Sequence, residues 1–306
     1  MPEEIFHDST FVMKKGYPKV TKLGAVSPNG ECSPFVFNGR VYRMENVWHA
    51  DRNQPKHTII RDRETGEIVS SLAEGCYYPS AYQEGDTVHV IAVKSRPGGF
   101  AGDSYRIFES RDLVQWTDRE LISRPGWLFF NSALTKGPDG YVLCMETENL
   151  GVPFTCIFAT SPDLVHWTFM DDAKAYPMDR YCGGPWMRYS RGYYYLILVT
   201  KLPGRRYTNY VCRTKDFDTW ELGYYNPLLM PDEDDRKISP YMYDISPELM
   251  AKIRTGFICN NSDVDMCDWN GKTLITYLVG NQIAFGYMAE AEYDGCVDDF
   301  LEACFS

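Results

Sequence analysis

Three acidic residues of this 306-residue chain, Glu31, Glu146 and Asp263, stand at positions where their side chains could carry out acid–base chemistry. Glu146 follows the apolar run 142–145, and a charged group there is unexpected unless water or a polar ligand meets it. Glu31 and Asp263 lie at the beginnings of strand-like segments. Two or three carboxylates around one pocket suit hydrolysis of a glycosidic bond. One carboxyl, held protonated, donates to the leaving oxygen, and another, ionised, activates water or attacks directly.

A repeated heptapeptide indicates how the chain could bring these residues together. The pattern Ser/Thr-x-Asp-Leu/Phe-x-x-Trp occurs at residues 110–116, 161–167 and 214–220, with its tryptophans 51 and then 53 residues apart. A period near fifty residues, filled with short β-type runs, is typical of radial repeat proteins. We expect the aspartate of each copy to cap a turn and the tryptophan to pack between repeats, so that the motif, including His166, is structural.

Five hairpin turns define the repeating unit, and an apolar or aromatic run follows each of them. The turns are Asn38-Gly39, Gly85-Asp86, Asp139-Gly140, Arg191-Gly192 and Asn270-Gly271. The units begin near residues 31, 77, 130, 183 and 261, which predicts an all-β, five-bladed β-propeller with four-stranded antiparallel blades. We expect residues 1–306 to form one domain, with segment 1–28 closing the ring through an outer strand. Residues 231–255 form an acidic insertion with a short helix over 246–252.

The inner strands of a propeller converge at one end of the axis, so their first residues rim a central pocket. Alignment by the hairpin glycines places Glu31, Tyr77, Asn131, Gly184 and Asp263 at equivalent rim positions. We therefore expect Glu31, Asp263 and Glu146 to be the catalytic residues. Asp263 or Glu31 would be the base or nucleophile, and the other, or Glu146, the acid.

Several further residues are predicted to contact a substrate at this rim. Aromatic side chains beside the rim could stack on a sugar ring, and amide, amine and carboxylate groups could bind its hydroxyls. The predicted substrate-binding residues are Glu45, Trp48, His49, Tyr77, Tyr78, Lys94, Asn131, Trp186, Arg188 and Asp265. Salt bridges of Glu45 or Glu146 with nearby cations, and a hydrogen bond of Asp265 to the next blade, are the alternative structural interpretations.

No metal site or cofactor is predicted. Residues 260–265 are rich in oxygen ligands but lack the glycine and the distal glutamate of a calcium-binding EF-hand. The chain has no CxxC or HxxxH pair for zinc. A structural cation in the central channel is the one metal that the sequence leaves open.

Bulk properties restrict the partners and the compartment. A net charge of −11 argues against nucleic acid and against an anionic membrane surface. No stretch approaches the roughly 20 apolar residues that span a bilayer, and the N-terminus lacks the pattern of a signal peptide. Ten cysteines without an export signal are expected to stay reduced, which favours a cytoplasmic protein. A small carbohydrate is the expected partner, and the sequence does not distinguish a monomer from a homo-oligomer.

The sequence resembles the five-bladed propeller glycoside hydrolases, the group that holds families 43, 32, 68 and 117. The resemblance spans about residues 28–290. It is carried by Ser-x-Asp-Leu-Val-x-Trp, present twice, and by residues 33–42, which resemble the first inner hairpin of that group. It implies a hydrolase that cleaves a terminal sugar from a short oligosaccharide or glycoside.

The chain departs from that group at the usual catalytic positions. Family 43 enzymes open blade 1 with an aspartate base, and the matching residue here is Glu31. Their second aspartate falls on Asn131, and their acid, a glutamate before Gly-Pro in blade 4, falls on Gly183. Glu31-Cys32-Ser33-Pro34 is also similar to the Glu-Cys-Pro of family 32, where the glutamate is the acid, although in a different blade. Either the machinery has moved to other carboxylates, or the chain is a non-catalytic carbohydrate-binding propeller. A glycoside phosphorylase or transglycosidase is a further alternative.

Overall fold

A computed structural model describes residues 18–47, 56–204, 206–281 and 285–306. It contains five antiparallel sheets of four strands each, which confirms the predicted five-bladed propeller. Blade 1 has β2 (Gly30–Phe37), β3 (Arg40–Asn46), β4 (Thr58–Asp62) and β5 (Ile68–Leu72). Blade 2 has β6 (Cys76–Glu84), β7 (Thr87–Lys94), β8 (Ser104–Ser110) and β9 (Thr117–Ser123). Blade 3 has β10 (Phe129–Gly137), β11 (Gly140–Thr147), β12 (Thr155–Ser161) and β13 (Thr168–Phe169). Blade 4 has β14 (Cys182–Ser190), β15 (Tyr193–Leu202), β16 (Arg206–Thr214) and β17 (Trp220–Leu222); blade 5 has β18 (Asn260–Trp269), β19 (Lys272–Gly280), β20 (Gly286–Tyr293) and β1 (Val20–Ser27).

The five inner strands form a closed ring around the axis. Each contacts the next, and β18 of the last blade contacts β2 of the first. Every inner strand begins one residue before its predicted start. Strand β1 pairs with β20, so the last blade contains strands from both ends of the described chain. This pairing closes the ring, so no long unpaired strand edge is left where the two ends of the described chain meet.

The heptapeptide has the predicted structural role. In the first copy, Asp112 Oδ1 accepts hydrogen bonds from the backbone N–H groups of Val114 and Gln115, both at 2.8 Å. The indole N–H of Trp116 donates to Ser70 Oγ in blade 1 at 2.8 Å. The equivalent aspartates Asp163 and Asp216 cap their turns in the same way. The motif therefore shapes the outer turns, and at least its first tryptophan links neighbouring blades.

A buried ionic network joins blades 1 and 5 at the point where the ring closes. Arg43 is fully buried and lies 3.3 Å from Glu45 and 3.3 Å from Glu290. Its remaining nitrogen donates to the Tyr241 carbonyl at 3.0 Å. Glu290 also accepts two hydrogen bonds from Arg63, at 2.9 and 3.0 Å. Buried charges persist only when they are paired in this way, so the network is a joint between the two blades.

The insertion between blades 4 and 5 is ordered around another buried carboxylate. Asp235 accepts hydrogen bonds from Lys22, Asn261 and Tyr277, at 2.9, 3.2 and 2.9 Å. Helix α1 (Pro247–Thr255) follows, and Ser246 Oγ caps its N-terminus. The helix extends past the predicted span 246–252. Helix α2 (Val297–Ala303), which the sequence did not predict, buries Phe300 and Leu301 against blade 5.

Neither helix could cross a membrane, and the described residues contain no long apolar helix of that kind.

Candidate active site

The first residues of all five inner strands are displaced by a β-bulge. In blade 1 the pairing jumps from Gly30 to Ser33, and equivalent jumps occur in the other four inner strands. The rim residues Glu31, Tyr78, Gly184 and Asp263 have φ angles of 50°, 53°, 49° and 51°. This left-handed backbone is unfavourable for side chains other than glycine. Because bulges re-aim side chains, the strain is consistent with a site built at this end of the axis.

The bulge corrects the alignment of blade 2. The rim residue there is Tyr78, which lies six residues before the last paired residue of its strand, as Glu31 does. Alignment by glycines was one residue off because Gly85 is the first residue of its turn, whereas Gly39 is the second. The Tyr77 ring is buried instead in the core of blades 2 and 3, edge-on to Tyr78.

The rim encloses a cavity of about 820 Å³ on the propeller axis. The blades contribute the polar side chains of Glu31, Asn131, Glu146 and Asp263, from blades 1, 3 and 5. Aromatic side chains line its walls, and helix α1 forms part of one side. The aromatic lining residues are Tyr78, Phe130, Phe154, Tyr181 and Phe285. A concave, largely aromatic site with a few converging polar groups is the usual form of a small-ligand pocket.

Glu146 reaches from blade 3 into the space that blade 4 leaves empty. Its Oε2 accepts hydrogen bonds from the Asn131 amide and from the Gly184 backbone N–H, both at 2.9 Å. A Cβ on Gly183 would lie 3.0 Å from Glu146 Oε1. The carboxylate of Glu146 therefore occupies room that a side chain of blade 4 would need.

Asp263 fills the other side of the same gap. A Cβ on Gly184 would lie 2.4 Å from Asp263 Oδ1, closer than non-bonded atoms approach. The glycines of blade 4 and the carboxylates of its neighbours are thus complementary. This geometry gives a physical reason for the missing blade 4 carboxylate, since two other acidic residues converge on its place.

Burial raises the pKa of all three carboxyl groups, and their hydrogen-bond partners differ. Burial, followed by the neighbouring Asp263 and Glu146, raises the pKa of Glu31 well above its ordinary value. Burial also raises the pKa of Asp263, although the Ser262 hydroxyl, which donates to it at 2.6 Å, lowers it. Burial raises the pKa of Glu146 to about 7, against the opposing effect of its two N–H donors. Among the described residues no donor bonds to Glu31, so no hydrogen bond offsets the effect of burial on its pKa.

Replacing Gly184 with Ala is expected to impair the site without unfolding the propeller. The added methyl group would displace Asp263, so we expect at least a tenfold lower kcat, since small displacements of reacting groups are costly. Gly192→Ala is the matched control, because it has φ 84° in the hairpin of the same blade and open space around it. Steady-state kinetics and thermal melting of both variants test this. Equal activity losses in the two variants would contradict it.

Of the eight predicted substrate-binding residues that the structure describes, only Tyr78 and Asn131 line the cavity. Besides Tyr77, the residues Glu45, Arg188 and Lys94 lie away from it. Glu45 is buried in the network with Arg43 and Arg61. Glu45 lies five residues after Arg40, the first paired residue of its strand, whereas Glu146 lies six residues after the equivalent Gly140. Their side chains therefore leave opposite faces of their blades. Arg188, four residues beyond the rim, pairs with Asp268 and Asp298 at 3.0 and 2.8 Å. Lys94 is exposed beside Gly75. These placements correct the expectation that the three residues face the rim.

Asp265 and Trp186 do not line the main cavity. Asp265 borders a cavity of about 30 Å³ that also touches Glu31 and Asp263. It accepts hydrogen bonds from Ser33 of blade 1 and from Trp186, and burial raises its pKa to about 7. The alternative interpretation of Asp265, a bond to the next blade, is thus what the structure shows. Trp48 and His49 fall outside the described residues.

Sequence reasoning missed most of the cavity wall. Phe154 and Tyr181 come from connecting segments, and their rings meet edge-to-face at 5.4 Å. The sequence shows that both residues are aromatic, but only the packing of blades 3 and 4 brings their rings to the axis. Glu248, Leu249 and Lys252 belong to the insertion, whose direction no repeat pattern indicates.

Neither a protein-family model nor a curated protein matches the sequence. Solved structures nevertheless share its fold. A structure described as a glycoside hydrolase has a TM-score of 0.62 at 9% identity, covering 95% of this chain and 95% of its own. A GH43 endo-arabinanase from Bacillus licheniformis has 0.55 at 12%, covering 88% and 95%. An endo-1,4-beta-xylanase from Bacteroides thetaiotaomicron has 0.56 at 13%, covering 89% and 92%. The chain therefore has the five-bladed fold of GH43 glycoside hydrolases at very low sequence identity.

Proposed function

We propose that this protein is a glycoside hydrolase that removes a terminal sugar from a short oligosaccharide or glycoside in the axial cavity. The observation that carries the proposal is the convergence of Glu31, Glu146 and Asp263, from three blades, on one cavity. Their pKa values are all raised, by different environments. Carboxyl groups whose environments separate acid from base are what glycoside hydrolysis needs. The shared fold with known hydrolases adds weight by analogy.

Glu31 is assigned as the general acid. Its burial and two acidic neighbours favour the neutral carboxyl, and no described group donates a hydrogen bond that would favour the anion. A protonated carboxyl can donate its proton to the glycosidic oxygen as the bond to the anomeric carbon breaks. The leaving sugar then departs as a neutral alcohol.

Asp263 is assigned as the base or nucleophile. The Ser262 hydroxyl donates to its Oδ2, which stabilises the ionised form. An ionised Asp263 can take a proton from an attacking water or can attack the anomeric carbon itself. Glu146 is held by Asn131 and the Gly184 N–H, and its charge helps to keep Glu31 protonated.

Phosphorolysis is less compatible with the lining of the cavity. A phosphate co-substrate needs several cations, but Lys252 is the only basic side chain among the described residues that line it. Arg188 and Arg96 do not line the cavity and pair with Asp268 and Asp103. Hydrolysis and transglycosylation need no such cluster.

A substrate panel tests the proposal. The probes are 4-nitrophenyl glycosides and neutral disaccharides of xylose, arabinose and common hexoses, with and without inorganic phosphate. We expect phosphate-independent release of a monosaccharide from at least one probe. Binding of a sugar without turnover would instead favour the carbohydrate-binding propeller, and strict dependence on phosphate would favour a phosphorylase. NMR of the first-formed anomer then separates retention from inversion.

The pH dependence of kcat/KM is expected to be bell-shaped. Activity rises with pH as Asp263 ionises, and because its pKa is raised this limb lies above pH 4, near which a free aspartate titrates. Activity falls at higher pH as Glu31 loses its proton, and its raised pKa moves that limb upward. Because the three carboxyl groups interact, the apparent pKa values of the two limbs belong to the three groups together rather than to single residues. Activity that stays constant from pH 4 to pH 9 on a neutral substrate would contradict these assignments.

A further inference from the structure

One wall of the cavity comes from helix α1 rather than from the blades. Glu248, Leu249 and Lys252 of this helix line the cavity. Lys252 Nζ lies 2.8 Å from Glu248 Oε1, one helical turn away. The side chains of Lys252 and Glu248 are 44% and 78% exposed, whereas the Glu146 residue is only 4% exposed. The pair therefore lies nearer the mouth of the cavity than Glu146 does.

The helix is held in a fixed position. Arg236 donates hydrogen bonds to the carbonyls of Ile253 and Gly256, at 3.1 and 3.0 Å, at the C-terminal end of the helix. Ile253 is fully buried in the core that blades 4 and 5 share. A Cβ on Gly256 would lie 2.5 Å from the ring of Phe285, another lining residue, so helix and blade are in close contact. The Glu248–Lys252 pair is consequently presented on a preformed surface.

The charges of the lining favour a neutral ligand. Four acidic residues line the cavity, Glu31, Glu146, Asp263 and Glu248, against the single described cation, Lys252. With Glu31 protonated, the acidic groups still outnumber Lys252, and Lys252 is already paired. A carboxylate or phosphate on the substrate would therefore meet net negative charge.

We propose that Glu248 and Lys252 form the binding subsite for the sugar on the leaving-group side, and that they select a neutral sugar with two adjacent hydroxyls. The inference rests on the proposed hydrolase function, because the terminal sugar must occupy the floor. An ammonium donor and a carboxylate acceptor 2.8 Å apart match the donor and acceptor of two neighbouring hydroxyl groups. Leu249 lies between them in sequence and offers apolar contact to the ring carbons. An exposed pair one turn apart is weak, so its rearrangement around a sugar costs little.

Two substrates with the same terminal sugar test this subsite. One is the 4-nitrophenyl glycoside, which has no hydroxyls on the leaving side, and the other is the neutral disaccharide. Lys252→Met and Glu248→Gln are expected to lower kcat/KM for the disaccharide about tenfold, mainly by raising KM. The loss for the aryl glycoside should be at least fivefold smaller. Lys237→Met is the matched control, because it breaks an exposed ion pair of the same insertion, with Asp234, outside the cavity.

Three results would overturn the proposal. Equal losses on both substrates would show a general structural effect, and no loss on either would show that the pair does not contact sugar. A preference of the wild-type protein for a disaccharide with a uronate on the leaving side, abolished in Lys252→Met, would assign the subsite to acidic sugars. If the wild-type protein hydrolyses no probe, the proposed function fails separately. Calorimetric binding of the disaccharide to wild type and Lys252→Met then decides the subsite alone.

Discussion

Replacing Glu31 with Gln is expected to lower kcat/KM for a disaccharide or alkyl glycoside by about 10²–10⁴-fold, the range that a general acid supplies. Glutamine keeps the shape of the protonated glutamate but has no acidic proton to donate. The loss should shrink on a 2,4-dinitrophenyl glycoside, whose leaving group departs without protonation. Comparison of wild type and variant on the two substrates measures this difference. Such leaving-group dependence is the signature of a lost acid rather than of a damaged pocket.

Thermal melting checks the fold of this variant. The folded-state pKa of Glu31 is raised, so its contribution to stability is present at low pH and is lost as pH rises through that pKa. In Glu31→Gln the side chain at position 31 carries no charge at any pH. We therefore expect the melting temperature of this variant at pH 8 to equal or exceed that of wild type. The exposed Glu74, changed to Gln, is the matched control and should alter neither rate nor stability. Full activity of Glu31→Gln would transfer the acid role to Glu146.

Arg43→Met is expected to destabilise the propeller by about 3–5 kcal/mol, the cost of removing one partner from a buried ionic network. Arg43 is fully buried between Glu45 and Glu290, and its removal deprives both carboxylates of a close cation. The network lies where blade 1 meets blade 5, so its loss weakens the closure of the ring. Chemical denaturation followed by tryptophan fluorescence measures the change in free energy of unfolding.

Two comparisons isolate the ionic effect. Arg106→Met removes a partly exposed surface pair with Asp118 and should cost at most about 1 kcal/mol. The double variant Arg43→Met, Glu290→Gln also removes the buried partner of Arg63, so it should be no more stable than Arg43→Met alone. If Arg43→Met changes the free energy of unfolding by less than about 1 kcal/mol, Arg61 and Arg63 suffice to neutralise the two carboxylates. The interpretation of Arg43 as a link between blades 1 and 5 would then be wrong.

Much of the fold could be predicted from the sequence because its signals are local. A hairpin turn depends on a few adjacent residues, and the heptapeptide repeats its Asp-capped turn within seven. Such signals count the blades and locate the inner strands to within one residue. The same spacing singled out Glu31 and Asp263 and showed that blade 4 has glycine where a carboxylate was expected.

The rest of the site depends on which face of its strand each side chain occupies and on contacts between blades. A shift of one residue along a strand moves a side chain to the opposite face, which separates Glu146, in the cavity, from Glu45, in the buried network. The same one-residue difference replaces Tyr77 by Tyr78 at the rim. Blade-level alignment by glycines cannot resolve such a difference, because turns place their glycine at either of two positions.

The sequence by itself determined the propeller, its five blades and two of the three candidate catalytic positions by spacing, because turn chemistry and strand period act over a few residues. The tertiary structure decided what surrounds them. It placed Glu146 and Asp263 on either side of Gly184, buried Glu31 beside them with a raised pKa, and set the helix of the insertion along one wall of the cavity. These features depend on burial and on the approach of distant segments, which no local pattern encodes.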